Sequence, residues 1–282
     1  MLIEEISSQP QVLKLYPRAL LNSLLPHKRQ GLPDEGLRLA GVSTDMAHLD
    51  RYRRVCGFKP GATLPVTYPH MLAFPLHMAL MTSGNFPYPL LGLVHIANRI
   101  EQYKALPCDR ALDIECHFGA EQEHEKGKVF SILTEVHIDG EKLWESESSM
   151  LHRCKSSLPA AERKAHQAPP KASCSWQLDE GLGRRYARAS GDFNPIHLHA
   201  LSARLFGFQR AIAHGMWSKA RCLAELESSL APAYEVDVQF KLPILLPATV
   251  DFSQQRQGLG LQFALHDHDS GKPHLSGQVQ FK

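Results

Sequence analysis

The chain has 282 residues, of which 43% are hydrophobic and 21% are charged, and its formal net charge is +2. These values are close to globular averages, so they favour a folded chain with a buried core over a disordered one. A net charge near zero, with no basic run interleaved with aromatic residues, argues against nucleic acid as a partner.

The N-terminal segment MLIEEISSQP carries two acidic residues and no sustained apolar stretch, which is unlike a secretory signal peptide. No stretch of the sequence approaches the roughly 20 continuous apolar residues of a membrane span. The six cysteines form no C-x-x-C pair, a pattern that indicates free thiols in a reducing compartment. We therefore expect a cytoplasmic protein with neither a disulfide framework nor a zinc site.

The first half, residues 1–154, is predicted as one domain that ends in antiparallel strands. Residues 112–118 and 128–153 alternate apolar and polar side chains, and Asp139-Gly140 within the second stretch is a hairpin signal. Helix-like residues follow positions 93–96, so a helix is predicted there. This order of helix and then strands is typical of an α+β domain.

Residues 155–175 are rich in Ala, Pro, Ser and Lys, which is the composition of a linker. Residues 176–282 then form a second domain in which the order of elements recurs. Tyr186-Ala187-Arg188 corresponds to Tyr52-Arg53-Arg54 in the first half, and residues 212–215 correspond to residues 93–96. Such internal similarity predicts a duplicated architecture.

The second half continues with a helix and another set of strands. Apolar residues recur at helical spacing over residues 216–230. Residues 234–255 and 260–281 alternate apolar and polar side chains, as residues 112–118 and 128–153 do in the first half, with a turn at Ser270-Gly271. A helix wrapped by a curved antiparallel sheet is predicted twice, which makes a pseudo-dimer within one chain.

The segment SGDFNPIHLHA, which begins at Ser190, places an acid and two histidines around a bend. Asp192 and His197 are five positions apart, so on a regular strand they would face opposite ways. Pro195 fixes its own φ and biases Asn194 away from helix, while the Asn194 amide can bind its own backbone. The bend can therefore bring a carboxylate and an imidazole together, although a polar turn without chemistry would use the same residue types.

Residues 186–220 resemble the signature of the MaoC-like R-specific enoyl-CoA hydratases and 3-hydroxyacyl-thioester dehydratases, which have the hot-dog fold. The residues that carry the resemblance are Tyr186, Ser190-Gly191-Asp192, Asn194-Pro195-Ile196-His197, Ala203, Gly207-Phe208 and Ile212-Ala213-His214-Gly215-Met216. The resemblance implies a double hot-dog. Residues 57–80 of the first half lack this motif and are interpreted as a longer connection, so the first half is expected to be non-catalytic.

The resemblance also implies a reaction and its residues. Asp192 and His197 would hold a water and share the proton transfers in reversible R-specific hydration of a trans-2-enoyl thioester, without metal or organic cofactor. The backbone N–H of Gly215 would stabilise the negative charge on the thioester oxygen. Four further residues are candidates for substrate binding, with turn-forming or packing roles as the alternatives: Ser190, Asn194, His214 and Met216.

Four matters stay open at this point. A hot-dog acyl-CoA thioesterase and a non-catalytic acyl-CoA or acyl-carrier binding subunit are the alternative functions. The substrate carrier is either coenzyme A or acyl carrier protein, and the apolar residues around 74–91 form either core or an acyl-chain pocket. A fused pair of domains can act as a monomer or as a homodimer, and we expect the homodimer.

Overall fold

The alternating stretches of the sequence form strands, because one face of each strand packs on a central helix while the other meets solvent. The computed structural model describes residues 2–24, 31–90, 92–159 and 169–282. In these residues the first half forms strands β1 (Leu2–Glu5), β2 (Glu35–Val42), β3 (Val94–Gln102), β4 (Leu112–His124), β5 (Gly127–Ile138) and β6 (Glu141–Arg153). The second half forms β7 (Cys174–Leu178), β8 (Tyr234–Phe240), β9 (Ala248–Gln257), β10 (Gly260–Asp267) and β11 (Pro273–Phe281).

The strands of both halves lie in one sheet, in the order β1-β2-β4-β5-β6-β3-β8-β11-β10-β9-β7. The strands β2, β4, β5, β6 and β3 follow the same order as β7, β9, β10, β11 and β8, so the two halves repeat one topology. Strands β3 and β8 meet in the middle as an antiparallel pair, with Ala97 opposite Gln239 and Gln102 opposite Tyr234. The α+β double hot-dog prediction is therefore confirmed, with β1 as an addition that pairs in parallel with β2.

Each half has a central helix that follows a shorter one. The helices are α1 (Val12–Leu24), α2 (Met46–Cys56), α3 (Tyr68–Met81), α4 (Leu182–Ser190), α5 (Ala200–Arg204) and α6 (Gly215–Leu226). Helix α3 is apolar on nearly all sides and almost fully buried against β2, β4 and β5, as expected of a helix inside a core. Helix α6 and the short 3-10 helix Glu227–Ser229 confirm the helix predicted over residues 216–230.

The helix predicted after residues 93–96 is wrong. Val94–Gln102 is strand β3, which pairs with β6 on one side and β8 on the other. The central helix of the first half is α3, which lies earlier in the chain and contains Pro75. The connection from α2 to α3 therefore covers only residues 57–67, whereas that from α4 to α6 covers residues 191–214. The longer connection predicted for the first half is wrong as well.

The predicted turns are confirmed. Asp139 and Gly140 both have positive φ, 53° and 81°, as a two-residue hairpin turn between β5 and β6 requires. Gly271, with φ of 64°, lies in the turn between β10 and β11. None of the described helices is long and apolar enough to cross a membrane.

Parts of two predictions fall outside the described residues. Residues 160–168 of the predicted linker lie outside the described residues, and so does Leu91 of the apolar stretch over residues 74–91. The division into domains 1–154 and 176–282 stays a prediction. Residues 74–81 of that apolar stretch belong to helix α3 and pack in the core, which agrees with the core interpretation.

Candidate active site

The site begins where helix α4 ends. Gly191 follows Ser190 with φ of 77°, in the left-handed region, and its N–H donates to the Ala187 carbonyl to close the last turn. Glycine takes this conformation without the strain that a Cβ would cause. The Ser190 hydroxyl then accepts a hydrogen bond of 3.2 Å from the N–H of Asp192. Ser190 is buried and forms the turn, which is the alternative to its predicted substrate-binding role.

The Asn194-Pro195 pair bends the chain after Asp192. The Asn194 Oδ1 accepts a hydrogen bond from the Ile196 N–H at 3.3 Å, so Asn194 caps the 3-10 helix Pro195–His197. A second bond, from the Ser202 hydroxyl to the Pro195 carbonyl at 2.7 Å, fixes the bend from α5. The expectation that the Asn194 amide ties the loop to its own backbone is thus met.

The bend brings Asp192 and two histidines together. The Oδ2 atom of Asp192 lies 3.9 Å from Nε2 of His197 and 3.9 Å from Nε2 of His214. The Oδ1 atom accepts hydrogen bonds from the Asn194 N–H at 3.1 Å and from the Tyr16 hydroxyl at 3.2 Å. One carboxylate oxygen is therefore used for anchoring, and the other faces the imidazoles.

The hydrogen bonds of His197 define its tautomer. Its Nδ1 lies 2.8 Å from the Ile212 carbonyl oxygen, and because a carbonyl can only accept, Nδ1 carries the proton. Burial lowers the pKa of His197 below its ordinary value, against the raising effects of Asp192 and the Ile212 carbonyl. The ring is neutral near pH 7, and its Nε2 lone pair points to the Asp192 side.

Asp192 stays ionised beside these rings. Burial raises the pKa of its carboxyl, but His214, His197, the Asn194 N–H and the Tyr16 hydroxyl outweigh this effect, and the pKa lies below its ordinary value. An ionised carboxylate and a neutral imidazole both accept hydrogen bonds through the atoms that face each other. Their separation of 3.9 Å leaves room for one water that donates to both.

His214 supports the site from the residue before helix α6. Its ring stacks on His197 with centroids 3.6 Å apart, and its Nε2 donates to the Asp192 carbonyl oxygen at 3.0 Å. Burial lowers the pKa of His214 to about 3, so the ring is neutral. Tyr186 packs on its other side, with centroids 4.8 Å apart. These contacts make His214 a support for the loop that carries Asp192 and His197.

Gly215 and Met216 open helix α6 beside these groups. As the first helical residue, Gly215 has an N–H with no acceptor inside the helix, and the positive end of the helix dipole lies behind it. A Cβ at Gly215 would lie 3.2 Å from the Phe240 ring, so the glycine permits this close approach. The oxyanion role of Gly215 stays a prediction. Met216 is buried in the core, and its substrate-binding role stays a prediction.

The three clustered side chains also meet a simple geometric condition for a metal. Asp192, His197 and His214 each offer one ligand atom, and these atoms lie within 4.8 Å of one another. However, Nε2 of His214 donates its proton to a carbonyl, so its lone pair is not available. His199, the other half of the His-x-His pattern, is exposed and adjoins Arg184. The expectation of no metal stays a prediction.

Sequence reasoning missed two residues near the site. Tyr16 lies 176 positions from Asp192, on the first helix, and no local pattern connects them. His95 was predicted as the counterpart of His214 before a helix, but it lies on strand β3 with its ring 5.0 Å from Phe240. Both residues reach the site because the first half folds against the second.

Comparisons with known proteins identify the family of this chain. The family described as MaoC like domain matches residues 161–277, the part of the chain that carries the motif. The 3-hydroxyacyl-thioester dehydratase X of Mycobacterium tuberculosis is 32% identical over 280 residues, which cover 97% of this chain and 99% of the relative. The chain belongs to the MaoC-like dehydratase family.

Solved structures extend this assignment to the whole fold. The crystal structure of HtdX of Mycobacterium tuberculosis matches this MaoC-like chain with a TM-score of 0.79 and 30% identity, covering 88% of this chain and all of that one. The full-length peroxisomal multifunctional enzyme type 2 of Drosophila melanogaster matches with a TM-score of 0.70 and 19% identity, covering 88% of this chain and 48% of that one. This second match shows the fold alone.

Proposed function

We propose that the chain is a hydro-lyase that hydrates trans-2-enoyl thioesters reversibly and R-specifically, and dehydrates (R)-3-hydroxyacyl thioesters, in fatty-acyl metabolism. Family membership and the name of the Mycobacterium tuberculosis relative support this reaction class. The observation that carries the proposal is the pair formed by Asp192 and His197, two hydrogen-bond acceptors 3.9 Å apart. Their tautomer and charge suit them to bind one water together.

The geometry supports the following course of hydration. The bound water donates one hydrogen to Oδ2 of Asp192 and one to Nε2 of His197. As its oxygen bonds to C3 of the enoyl group, one of its protons passes to this pair, and the pair returns a proton to C2 on the same face. The protonation of the enzyme is restored, and each well-placed proton transfer contributes typically ~10²–10⁴-fold.

The negative charge that builds on the thioester oxygen needs a donor that is fixed in advance. The N–H of Gly215 is assigned this role because it starts helix α6 beside His214. Loss of one such donor typically costs ~10²–10³-fold in rate. Dehydration follows the same path in reverse, and the proposed chemistry uses neither a metal nor an organic cofactor.

The substrate carrier, coenzyme A or acyl carrier protein, is part of the same proposal. The cytoplasmic location is also part of the proposal and is supported by the sequence composition. The homodimer is proposed because closed two-fold dimers are the commonest soluble oligomers.

The experiment that tests the function uses trans-2-enoyl-CoA substrates of short, medium and long chain. Loss of the enoyl-thioester absorbance is followed while free thiol is assayed, and the product is analysed on a chiral column. We expect absorbance to fall without release of thiol and the R alcohol to form. The variant Asp192→Asn keeps the side-chain shape and is expected to lose at least about 100-fold in kcat.

Three other outcomes would contradict the proposal or part of it. Released thiol in step with the loss of absorbance would indicate a thioesterase. Binding of acyl-CoA or acyl carrier protein without turnover of either carrier's enoyl thioester would indicate a binding subunit. Equal rates for the native chain and Asp192→Asn would remove Asp192 from the reaction.

A further inference from the structure

The N-terminal helix α1 reaches the catalytic loop of the other half. It precedes the repeated part of the first half and packs on the central helix α3. Leu15 and Ala19 of α1 are buried, and the Gln9 side chain donates to the Leu72 carbonyl oxygen at 3.1 Å just ahead of the helix. These contacts hold α1 in a fixed place against α3.

Tyr16 projects from this helix to the reactive carboxylate. Its hydroxyl donates to Oδ1 of Asp192 at 3.2 Å, the same oxygen that accepts the Asn194 N–H at 3.1 Å. The two donors to Oδ1 come from separate parts of the chain, so together they oppose rotation of the carboxylate plane. Oδ2 is thereby left facing His197 and His214.

We propose that Tyr16 is a positioning residue for the reaction, which holds the Asp192 carboxylate so that Oδ2 rather than Oδ1 faces the shared water. The inference rests on the proposed function, because positioning by Tyr16 matters only if Asp192 binds the water and exchanges its protons. It assigns part of the active site to a helix that neither the duplicated topology nor the sequence motif includes.

The charges around Asp192 agree with this assignment. Burial, and then the nearby Asp192 charge, raise the pKa of Tyr16 well above its ordinary value, so the phenol remains a donor. The groups that face Asp192 from the surrounding elements are Tyr16 on α1, His95 on β3, Tyr186 on α4, His197 in the loop and His214 before α6. Of these groups, Tyr16 donates a side-chain hydrogen bond that lowers the pKa of Asp192.

The test is the variant Tyr16→Phe, which keeps the ring and removes only the hydroxyl. We expect kcat on the preferred enoyl thioester to fall about tenfold to a hundredfold while KM changes little, because the carboxylate is misplaced after the substrate has bound. We also expect the acid limb of the profile of kcat/KM against pH to move to higher pH. Loss of a hydrogen bond to the charged form raises the pKa of a carboxyl.

Tyr88→Phe is the matched control. The Tyr88 hydroxyl also donates to a carboxylate, that of Glu121 on β4, and the ring is similarly packed in the core, but neither residue contacts the catalytic loop. We expect kcat and the pH profile of this variant to match those of the native chain. The proposal would be overturned if the pH profile of Tyr16→Phe were unchanged and any loss of rate were explained by a lower melting temperature.

A second readout does not depend on the reaction. In protein labelled with ¹³C at the aspartate carboxyls, the Asp192 signal is assigned by its absence from Asp192→Asn and is titrated in the native chain and in Tyr16→Phe. A higher Asp192 pKa in the variant supports the contact even if the enoyl substrates prove inert, which would count against the proposed function alone. An equal pKa in both proteins overturns the inference about Tyr16, whatever the activity.

Discussion

The two connections that lead into the central helices start alike and then diverge. Helix α2 ends at Gly57 with φ of 87° and helix α4 ends at Gly191 with φ of 77°. A tyrosine lies five positions before each glycine, and the rings of Tyr52 and Tyr186 are 6.2 Å apart. After Gly57 comes Phe58, which stacks on Tyr52, whereas Asp192 follows Gly191.

The rest of each connection deepens this difference. Residues 58–67 run directly into α3. The Trp144 indole N–H holds the end of this segment by donating a hydrogen bond to the Val66 carbonyl oxygen at 2.8 Å. Residues 191–214 are long enough to add a 3-10 helix and α5 before α6, and they contain the acid and both imidazoles. If the proposed mechanism holds, a duplicated frame needs only one elaborated loop to gain a reaction centre, while the other loop serves packing.

Histidines provide the sharpest comparison between the halves. His197 in the loop and His77 on α3 are both buried, 7% and 3% exposed. We expect His197→Gln to lower kcat/KM by about 10²–10⁴-fold, because an amide cannot exchange a proton with the bound water. We expect His77→Gln to leave kcat/KM within twofold, since His77 contacts Thr134 on β5.

Steady-state kinetics on the preferred enoyl thioester measure both variants, and circular dichroism checks that both are folded. A loss in His77→Gln comparable to that in His197→Gln would show that the first half takes part in the reaction. Nearly native rates in both variants would remove the imidazole from the mechanism.

Two buried histidines, His77 in the first half and His214 in the second, link stability to pH. Burial lowers the pKa of His77 to about 3 and that of His214 to about 3, against 6.5 for an ordinary histidine. Between these values the unfolded chain binds protons that the folded chain does not, so the free energy of unfolding falls as the pH is lowered. Each such histidine contributes about 1.4 kcal/mol per pH unit in that window.

Urea unfolding at pH 7, 6 and 5 measures this slope. Because glutamine does not titrate, we expect His77→Gln to reduce the slope below pH 6.5 by the contribution of one histidine. The first half would then contribute to the acid sensitivity of the fold. Equal slopes in the native chain and the variant would mean that His77 protonates in the folded state.

The motif could be predicted from the sequence because its chemistry is local. Asp192, Asn194 and His197 lie within six positions, so bend and function can be deduced from one segment. The turns at Asp139-Gly140 and Ser270-Gly271 follow from the φ values that such residues favour. Strands of alternating polarity were predictable for the same reason.

Other parts of the fold were hidden from the sequence for physical reasons. Helix α3 has Pro75 inside it and no polar face, so neither periodicity nor the rules for helix breakers indicated a helix. His95 then seemed to match His214, although strand pairing with β6 and β8 decides its place. The contact of Tyr16 with Asp192 depends on packing between distant elements, which no local pattern records.

The two left-handed glycines give the smallest and most closely matched test. Gly57→Ala and Gly191→Ala each force a side chain into a positive φ, which costs about 1–2 kcal/mol of unfolding free energy. Space is not the main factor, since the new Cβ would meet only the movable Arg221 side chain at Gly57 and the Phe74 ring at 3.7 Å at Gly191. We therefore expect similar losses of stability by urea unfolding.

Their effects on activity should differ, because a shift at Gly191 moves Asp192 directly. We expect Gly191→Ala to lower kcat/KM by about tenfold or more, through misplacement of the reactive carboxylate, and Gly57→Ala to leave it nearly unchanged. Kinetics well below the melting temperature of each variant separate the two effects. Equal losses of kcat/KM in both would mean that the two turns serve the fold in the same way, and that the difference between the halves begins only after Asp192.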